Sequence, residues 1–247
     1  MVVYMFELRN VEVFINNRRI LHNVNFSANN GEFHIILGPN ASGKTSLLNA
    51  IMGIKPYMIS KGNVIFMGYD ITHEPPHIKA RKGLALAHQL PPSIKGLLVK
   101  SFIEELIKRY STEKSYIELL SSILDIKGLM NKYLFTDMSG GERKRLETFL
   151  TFLMKPKVIM LDEPDSGVDI ESLNKIADVI KIALKMKIIV ILVTHSLHML
   201  KILESHINSV HIIYGGTIMC SGTYSDIIPL IEKYGFSQAI TELLARS

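Results

Sequence analysis

One eight-residue run constrains this chain more than any other: Gly38-Pro39-Asn40-Ala41-Ser42-Gly43-Lys44-Thr45. It satisfies the pattern G-x-x-x-x-G-K-[ST] at each fixed position. The run Phe33-His34-Ile35-Ile36-Leu37 before it reads as a buried strand. Leu47, Leu48 and Ile51 after it share one helical face, and Gly53 is placed to stop that helix. Strand, glycine loop and helix in this order turn successive backbone N–H groups into one concavity, and the helix N-terminus adds partial positive charge there. Lys44 is then placed to reach terminal phosphates, the Thr45 hydroxyl to ligate Mg²⁺, and Ser46 to extend the same set. The run implies a nucleotide-triphosphate site.

Whether that site stands in a soluble or a membrane-spanning chain is a question of composition. The 247 residues are 47% hydrophobic and 21% charged, which suits one large core or a core with a subdomain. The mean hydropathy of +0.22 is high, yet apolar runs such as 188–193 and 158–161 have strand length, well short of the roughly 20 residues a spanning helix needs. No basic-then-apolar leader opens the sequence, so a cytoplasmic protein without direct membrane insertion is expected. Cys220 is the only cysteine, so an internal disulfide is excluded and one thiol cannot make a metal or cluster site alone. The net charge of +5 is spread over scattered lysines with no basic stripe, so no nucleic-acid partner is expected.

Periodicity predicts strands over 4–8, 11–15 and 20–26, with turns at Asn16-Asn17 and Asn29-Asn30-Gly31, as an antiparallel sheet ahead of the loop. Short strands are expected over 63–68 and 84–89. From 91 to 155 strand signals vanish, and stripes such as Leu98-Phe102-Leu106 and Ile117-Leu120-Leu124 predict an inserted helical subdomain. Residues 1–90 and 156–247 then form the nucleotide-binding core lobe. Beyond Pro156, strands over 158–161 and 188–193 alternate with a helix whose face carries Leu173, Ile176, Ala177, Ile180 and Leu184. A hairpin over 210–214 and 217–220 and a helix over 224–244 complete the chain. This alternation predicts an α/β fold with a parallel sheet covered on both sides.

Other chemical positions cluster around strand ends. The apolar run 158–161 leads into Asp162 and Glu163; beside a phosphate loop, the first carboxylate typically holds Mg²⁺ and the second orients or deprotonates a water. Ser139 followed by Glu142 is a capping box, while Gly140 and Gly141 leave helix N–H groups bare for an anion, one that can belong to another copy. Arg143, Lys144 and Arg145 read either as anion-steering groups or as a solvated helix face. Gln89 ends a strand where its amide oxygen can ligate Mg²⁺ or the attacking water, and His195 follows an apolar strand where it can contact a terminal phosphate.

The order of these motifs resembles the ATP-binding cassette (ABC) ATPases from end to end: phosphate loop, Gln89, Ser139-Gly140-Gly141-Glu142, Asp162-Glu163, Asp165-Ser166-Gly167-Val168-Asp169, His195. The resemblance implies a P-loop core with an N-terminal antiparallel β subdomain and an inserted helical subdomain. It also implies ATP and Mg²⁺ as ligands and a transient head-to-tail homodimer. In that dimer Ser139 to Glu142 of one copy closes over the nucleotide of the other, Glu163 is the catalytic base, and His195 senses the γ-phosphate. Asp165, Ser166, Gly167 and Asp169 relay between the two sites. The Asp-Ser-Gly-Val-Asp segment, the prolines after Gln89 and the tail 230–236 are similar to the SufC subfamily, ATPases of Suf iron–sulfur cluster assembly, where most transporter subunits carry Thr-Ser-Ala-Leu-Asp. That implies a SufB-type, or SufD-type, scaffold as partner. Ile15 stands where many ABC ATPases stack an aromatic on adenine, and Ala41 replaces a common glycine. The alternative is the nucleotide-binding subunit of a membrane transporter, which shares every ATP residue and differs in the partner surface near 90–130. A soluble switch acting on DNA or ribosomes fits less well, because the chain has neither a long coiled coil nor a tandem cassette.

Overall fold

The computed structural model describes residues 4–245; residues 1–3 and 246–247 of the expected domain lie outside the described residues. β1 (Phe6–Ile15) and β2 (Arg18–Ala28) form an antiparallel hairpin closed by Asn16 and Asn17, both at positive φ (45° and 64°) as a tight hairpin turn requires. The separate strands expected over 4–8 and 11–15 are one strand. Asn10 sits at φ 49° within a register shift between Leu8 and Val11, and this irregularity breaks the apolar alternation that the sequence displays. β3 (Phe33–Leu37) follows and leads through the glycine loop into α1 (Lys44–Met52). Gly53 ends α1 in the left-handed region, its N–H on the carbonyls of Ala50 and Asn49.

β4 (Met58–Phe66) starts five residues earlier than the expected strand over 63–68 and stops before the turn at Met67-Gly68; with β5 (Tyr69–Asp70) it completes a sheet of order β2-β1-β4-β5. α2 (Pro76–Lys82) precedes β6 (Leu84–Ala87), so the strand expected over 84–89 ends before His88 and Gln89. Residues 91–155 hold α3 (Val99–Tyr110), α4 (Lys114–Ile123), a 3-10 turn at Lys127–Leu129 and α5 (Gly140–Leu153). The alternation then resumes with β7 (Val158–Asp162), α6 (Ile170–Lys185), β8 (Ile189–Val193), α7 (Leu197–Leu203), the hairpin of β9 (Ser209–Tyr214) and β10 (Thr217–Gly222), and α8 (Tyr224–Leu244). α8 contains Gly235 at φ 71°, ψ 175°, where two helical pieces meet.

The second sheet runs β10-β9-β3-β8-β7-β6, parallel except for β10. β3, β7 and β8 are buried along their whole length, so both faces must be covered. Successive residues divide between two cores. Ile35, Ile159, Leu161, Val190 and Leu192 pack with α3 to α8, whereas Ile36, Val158, Met160, Ile189 and Ile191 pack with α1 and the inner face of the antiparallel sheet. The covering expected on both sides is therefore helical on one face and mostly β on the other. The C-terminal ends of β3, β6, β7 and β8 open at one edge of this sandwich, the crevice where parallel sheets present ligand-binding loops.

Candidate active site

The loop after β3 sets the floor of the site. Gly43 caps α1 at φ 106°, and a Cβ there would lie 2.5 Å from Leu21 Cδ2, so only glycine fits. No side chain caps α1 and no acid lies in its first turn, which leaves its positive pole for an anion. The Lys44 side chain, 6% exposed, donates from Nζ to the Gly38 and Pro39 carbonyls at 2.9 Å each. Burial lowers its pKa, opposed by the nearby charges of Glu163 and Asp162. A cleft of about 740 Å³ opens above, lined by residues 40–46 with Arg18, Ile20, Gln89, Glu163 and His195. Ser42 Oγ is buried there without a partner. Arg18 and Ile20 escape sequence reading because nothing local marks them. Ile15 is half-buried opposite Arg18 across the hairpin, and the cleft wall itself is Arg18 and Ile20.

Two carboxylates close the far side. Asp162, the last residue of β7 and 2% exposed, is pushed up to about 6 by burial, with a hydrogen bond from Thr45 acting the other way. Its Oδ1 is buried and unpaired. Glu163 follows at φ 48°, held by its N–H on the Val193 carbonyl at 2.9 Å. A non-glycine residue in this region costs roughly 1–3 kcal/mol, and such strain concentrates at functional positions. The Glu163 carboxylate is shared: Gln89 Nε2 donates to Oε2 at 2.6 Å, and His195 Nε2 lies 3.2 Å from Oε1. Three positions distant in sequence thus meet on one carboxylate.

Thr45 is hydrogen-bonded to Asp162, whose Oδ1 is buried without a partner, and Thr45 and Gln89 both line the cleft, so these residues offer oxygens of the kind that could hold Mg²⁺. Among the described residues no group of three His, Cys, Asp or Glu could hold a metal.

Ser139 caps α5 as expected: Glu142 N–H donates to its Oγ at 3.2 Å, and Ser139 N–H donates to Glu142 Oε2 at 2.9 Å. Lys132 also donates to Glu142, at 2.8 and 2.9 Å. The two glycines have a packing reason too. A Cβ on Gly140 would meet the Gly167 carbonyl at 2.2 Å, and one on Gly141 would lie 2.7 Å from Asp169 Oδ2. Asp169 caps α6, accepting from Ser172 N at 2.8 Å and Ser172 Oγ at 3.0 Å. Ser166 N–H donates to the Glu163 carbonyl, and burial raises the Asp165 carboxyl while a Thr194 hydrogen bond opposes it. The residues 139–142 and 165–169 therefore form one surface patch, and none of them lines the cleft. Lys144 and Arg145 are neither solvated nor free to steer anions: Lys144 is buried, and Arg145 Nη1 donates to the Leu124 carbonyl at 2.8 Å.

Against known families, the model described as ABC transporter matches residues 21–166. The chain belongs to the ABC transporter family. It is an ATPase of that family, and the family binds nucleotide. Among its relatives is "Probable ATP-dependent transporter ycf16" of Cyanidium caldarium, 32% identical over 92% of this chain and 93% of the relative. Another is "Probable ATP-dependent transporter SufC" of Escherichia coli K12, 28% identical over 94% of this chain and 97% of the relative. The solved "Structure of ATP binding subunit of ABC transporter" superposes with a TM-score of 0.79 at 19% identity, covering 97% of this chain and 99% of that one, which speaks for the fold. Among the described residues of this ABC ATPase no helix is long and apolar enough to cross a membrane.

Proposed function

We propose that this ABC ATPase is the energy-coupling subunit of a Suf-type iron–sulfur cluster assembly machine, acting on a SufB-type, or SufD-type, scaffold. One observation carries the shared-site part of this reading: the Ser139–Glu142 patch lies outside the cleft that holds the chain's own phosphate loop. A second copy, packed head to tail, supplies that patch to each cleft. Residues 38–46 then hold the phosphates, with Lys44 and the bare α1 N-terminus opposite their charge. Thr45, Asp162 and Gln89 hold Mg²⁺, which when bound neutralises phosphate charge. Glu163 takes a proton from the attacking water, and Gln89 and His195 keep its carboxylate aimed. ATP joins the two copies and its hydrolysis removes the joining group, so dimer closure is a population shift set by differential affinity for ATP and ADP. Asp165, Ser166, Gly167 and Asp169 abut the patch and carry the state of one site to the other.

The Suf assignment is supported by the Asp165 to Asp169 segment and by relatives named SufC and ycf16 over nearly their full length. The names of those same relatives, "ATP-dependent transporter", favour a second reading as the nucleotide-binding subunit of a membrane transporter. Co-expression with the neighbouring reading frames, purification and mass measurement distinguish the two. A complex with a soluble scaffold is expected; a membrane permease as the main partner would overturn the assembly role and leave the ATPase chemistry intact.

A further inference from the structure

The helix that carries the Ser139 patch also grips the peptide that aims Gln89. Lys144 Nζ donates to the His88 carbonyl at 2.8 Å, and Glu147 Oε1 accepts the His88 N–H. Both α5 residues are 5% exposed, and their side chains lie 3.7 Å apart as an ion pair. His88 follows the end of β6, the edge strand of the sheet, and sheet pairing stops one residue earlier at Ala87. Past that point the two α5 side chains hold the backbone, and Gln89 is the next residue, with its Nε2 on Glu163. The Lys144 charge also faces Asp162 and Asp165.

Stability is a weak reason for this pair. Burying two charges costs several kcal/mol each, and well-packed apolar residues of similar volume are often neutral or stabilising replacements. What an apolar pair cannot do is hydrogen-bond both sides of one residue's backbone. We propose that Lys144 and Glu147 are positioning residues for hydrolysis: they fix His88, and through it Gln89, so that the α5 N-terminus and the chain's own Glu163 move as one body. Ser139 and Glu147 are separated by about 12 Å of helix at 1.5 Å per residue, so a displacement at the patch is delivered to Gln89 without an intervening loop. The inference rests on the reading of Glu163 as the base.

The test uses the full chain with Lys144→Met/Glu147→Leu, which removes both members of the ion pair together. The expected result is an ATP affinity within about threefold of wild type and a kcat lower by about tenfold to a hundredfold, the scale of a misplaced reacting group. In a Gln89→Ala background the same double substitution should change kcat by less than about twofold, because the route it acts through is already gone. An equal loss in both backgrounds would mark general structural damage, and an unchanged kcat with Gln89 present would show that the grip is idle; either overturns the proposal. Lys144→Met alone, beside a Glu147 already pushed up to about 7 and able to take a proton, reads the same loss if the double variant does not fold. Glu163→Gln measured in parallel separates the two readings. Fast turnover there removes the base, whereas slow turnover beside an unaffected double variant removes only the grip.

Discussion

Glu163 is held at three points, by Val193 through its backbone and by Gln89 and His195 through its carboxylate. Glu163→Gln preserves the size of the side chain and removes its basicity. Phosphate release should slow by about 10²–10⁴-fold while ATP binding survives, and light scattering in ATP should find the dimer persisting. Near-normal turnover would take Glu163 out of the chemistry. A second residue-scale feature lies away from the cleft. Ser221 Oγ, His211, His34 and Glu32 form a chain of contacts at 2.7, 3.0 and 3.1 Å. One assignment satisfies all of it: Ser221 donates to His211 Nδ1, His211 Nε2–H to His34 Nδ1, and His34 Nε2–H to Glu32. A positive charge on either ring would sit in a buried site packed under Phe26. Burial holds both histidines down, His211 to about 3, with the carboxylate of Glu32 opposing the shift at His34. Because the unfolded rings protonate at about 6.5 and burial holds the folded ones below that, this contribution is complete above about pH 6.5 and is lost as pH falls below it. The slope is about 1.4 kcal/mol per pH unit for each proton. Urea unfolding from about pH 7.5 down to about pH 5 should show a steeper fall in the wild type than in His34→Gln/His211→Gln; parallel curves would contradict it.

At the scale of elements, α1 connects the phosphate loop to a buried cation at its other end. Lys79, 0% exposed and lowered by burial to about 8, donates from Nζ to the Ile51 carbonyl in the last turn of α1 at 2.7 Å and to Thr72 O at 3.0 Å. A cation at a helix C-terminus complements the dipole whose positive pole faces the cleft. Lys79→Met fills the space but leaves two buried carbonyls unsatisfied, at about 1–3 kcal/mol each. For a chain of this size the thermal midpoint should fall by roughly 2–4 °C per kcal/mol, and a midpoint unchanged in calorimetry would refute the capping role. The same element shows what a sequence can carry. The loop motif and Gly53 announce α1 at both ends, and Ser139 with Glu142 announces the start of α5, because caps are local chemistry. α2 and α7 are seven residues each, and α2 opens on Pro75-Pro76, which reads as a turn. Gln89, Glu163 and His195 were legible through their order along the chain, whereas their meeting on one carboxylate depends on the order β8-β7-β6 in the sheet. Arg18 and Ile20 reach the cleft from another sheet. Lys144 reads in the sequence either as an anion-steering group or as part of a solvated helix face, and the packing of α5 on the end of β6 buries it together with Glu147.

The whole molecule presents two unlike surfaces, a cleft with a phosphate loop and a glycine patch held by Asp169 and Gly167. In a two-fold symmetric dimer each contact occurs twice, so a patch that meets a cleft makes two composite sites. Composite sites have a signature that no self-contained site can imitate. Lys44→Ala chains lack a working loop but keep the patch; Ser139→Arg chains keep the loop but block the patch, at a cost in helix capping of about 1 kcal/mol. Dimers of either variant alone contain only defective sites. A heterodimer contains one site that is wholly intact, from the loop of the Ser139→Arg chain and the patch of the Lys44→Ala chain, and one that is doubly defective. An equimolar mixture should therefore recover ATPase activity absent from both parents, approaching roughly a quarter of the wild-type sites under statistical pairing. Recovery should grow with total chain concentration, since it requires association. If the mixture stays as inactive as its components while both variants remain folded, the nucleotide is handled within one chain. The patch of residues 139–142 would then have to be explained by its cap alone.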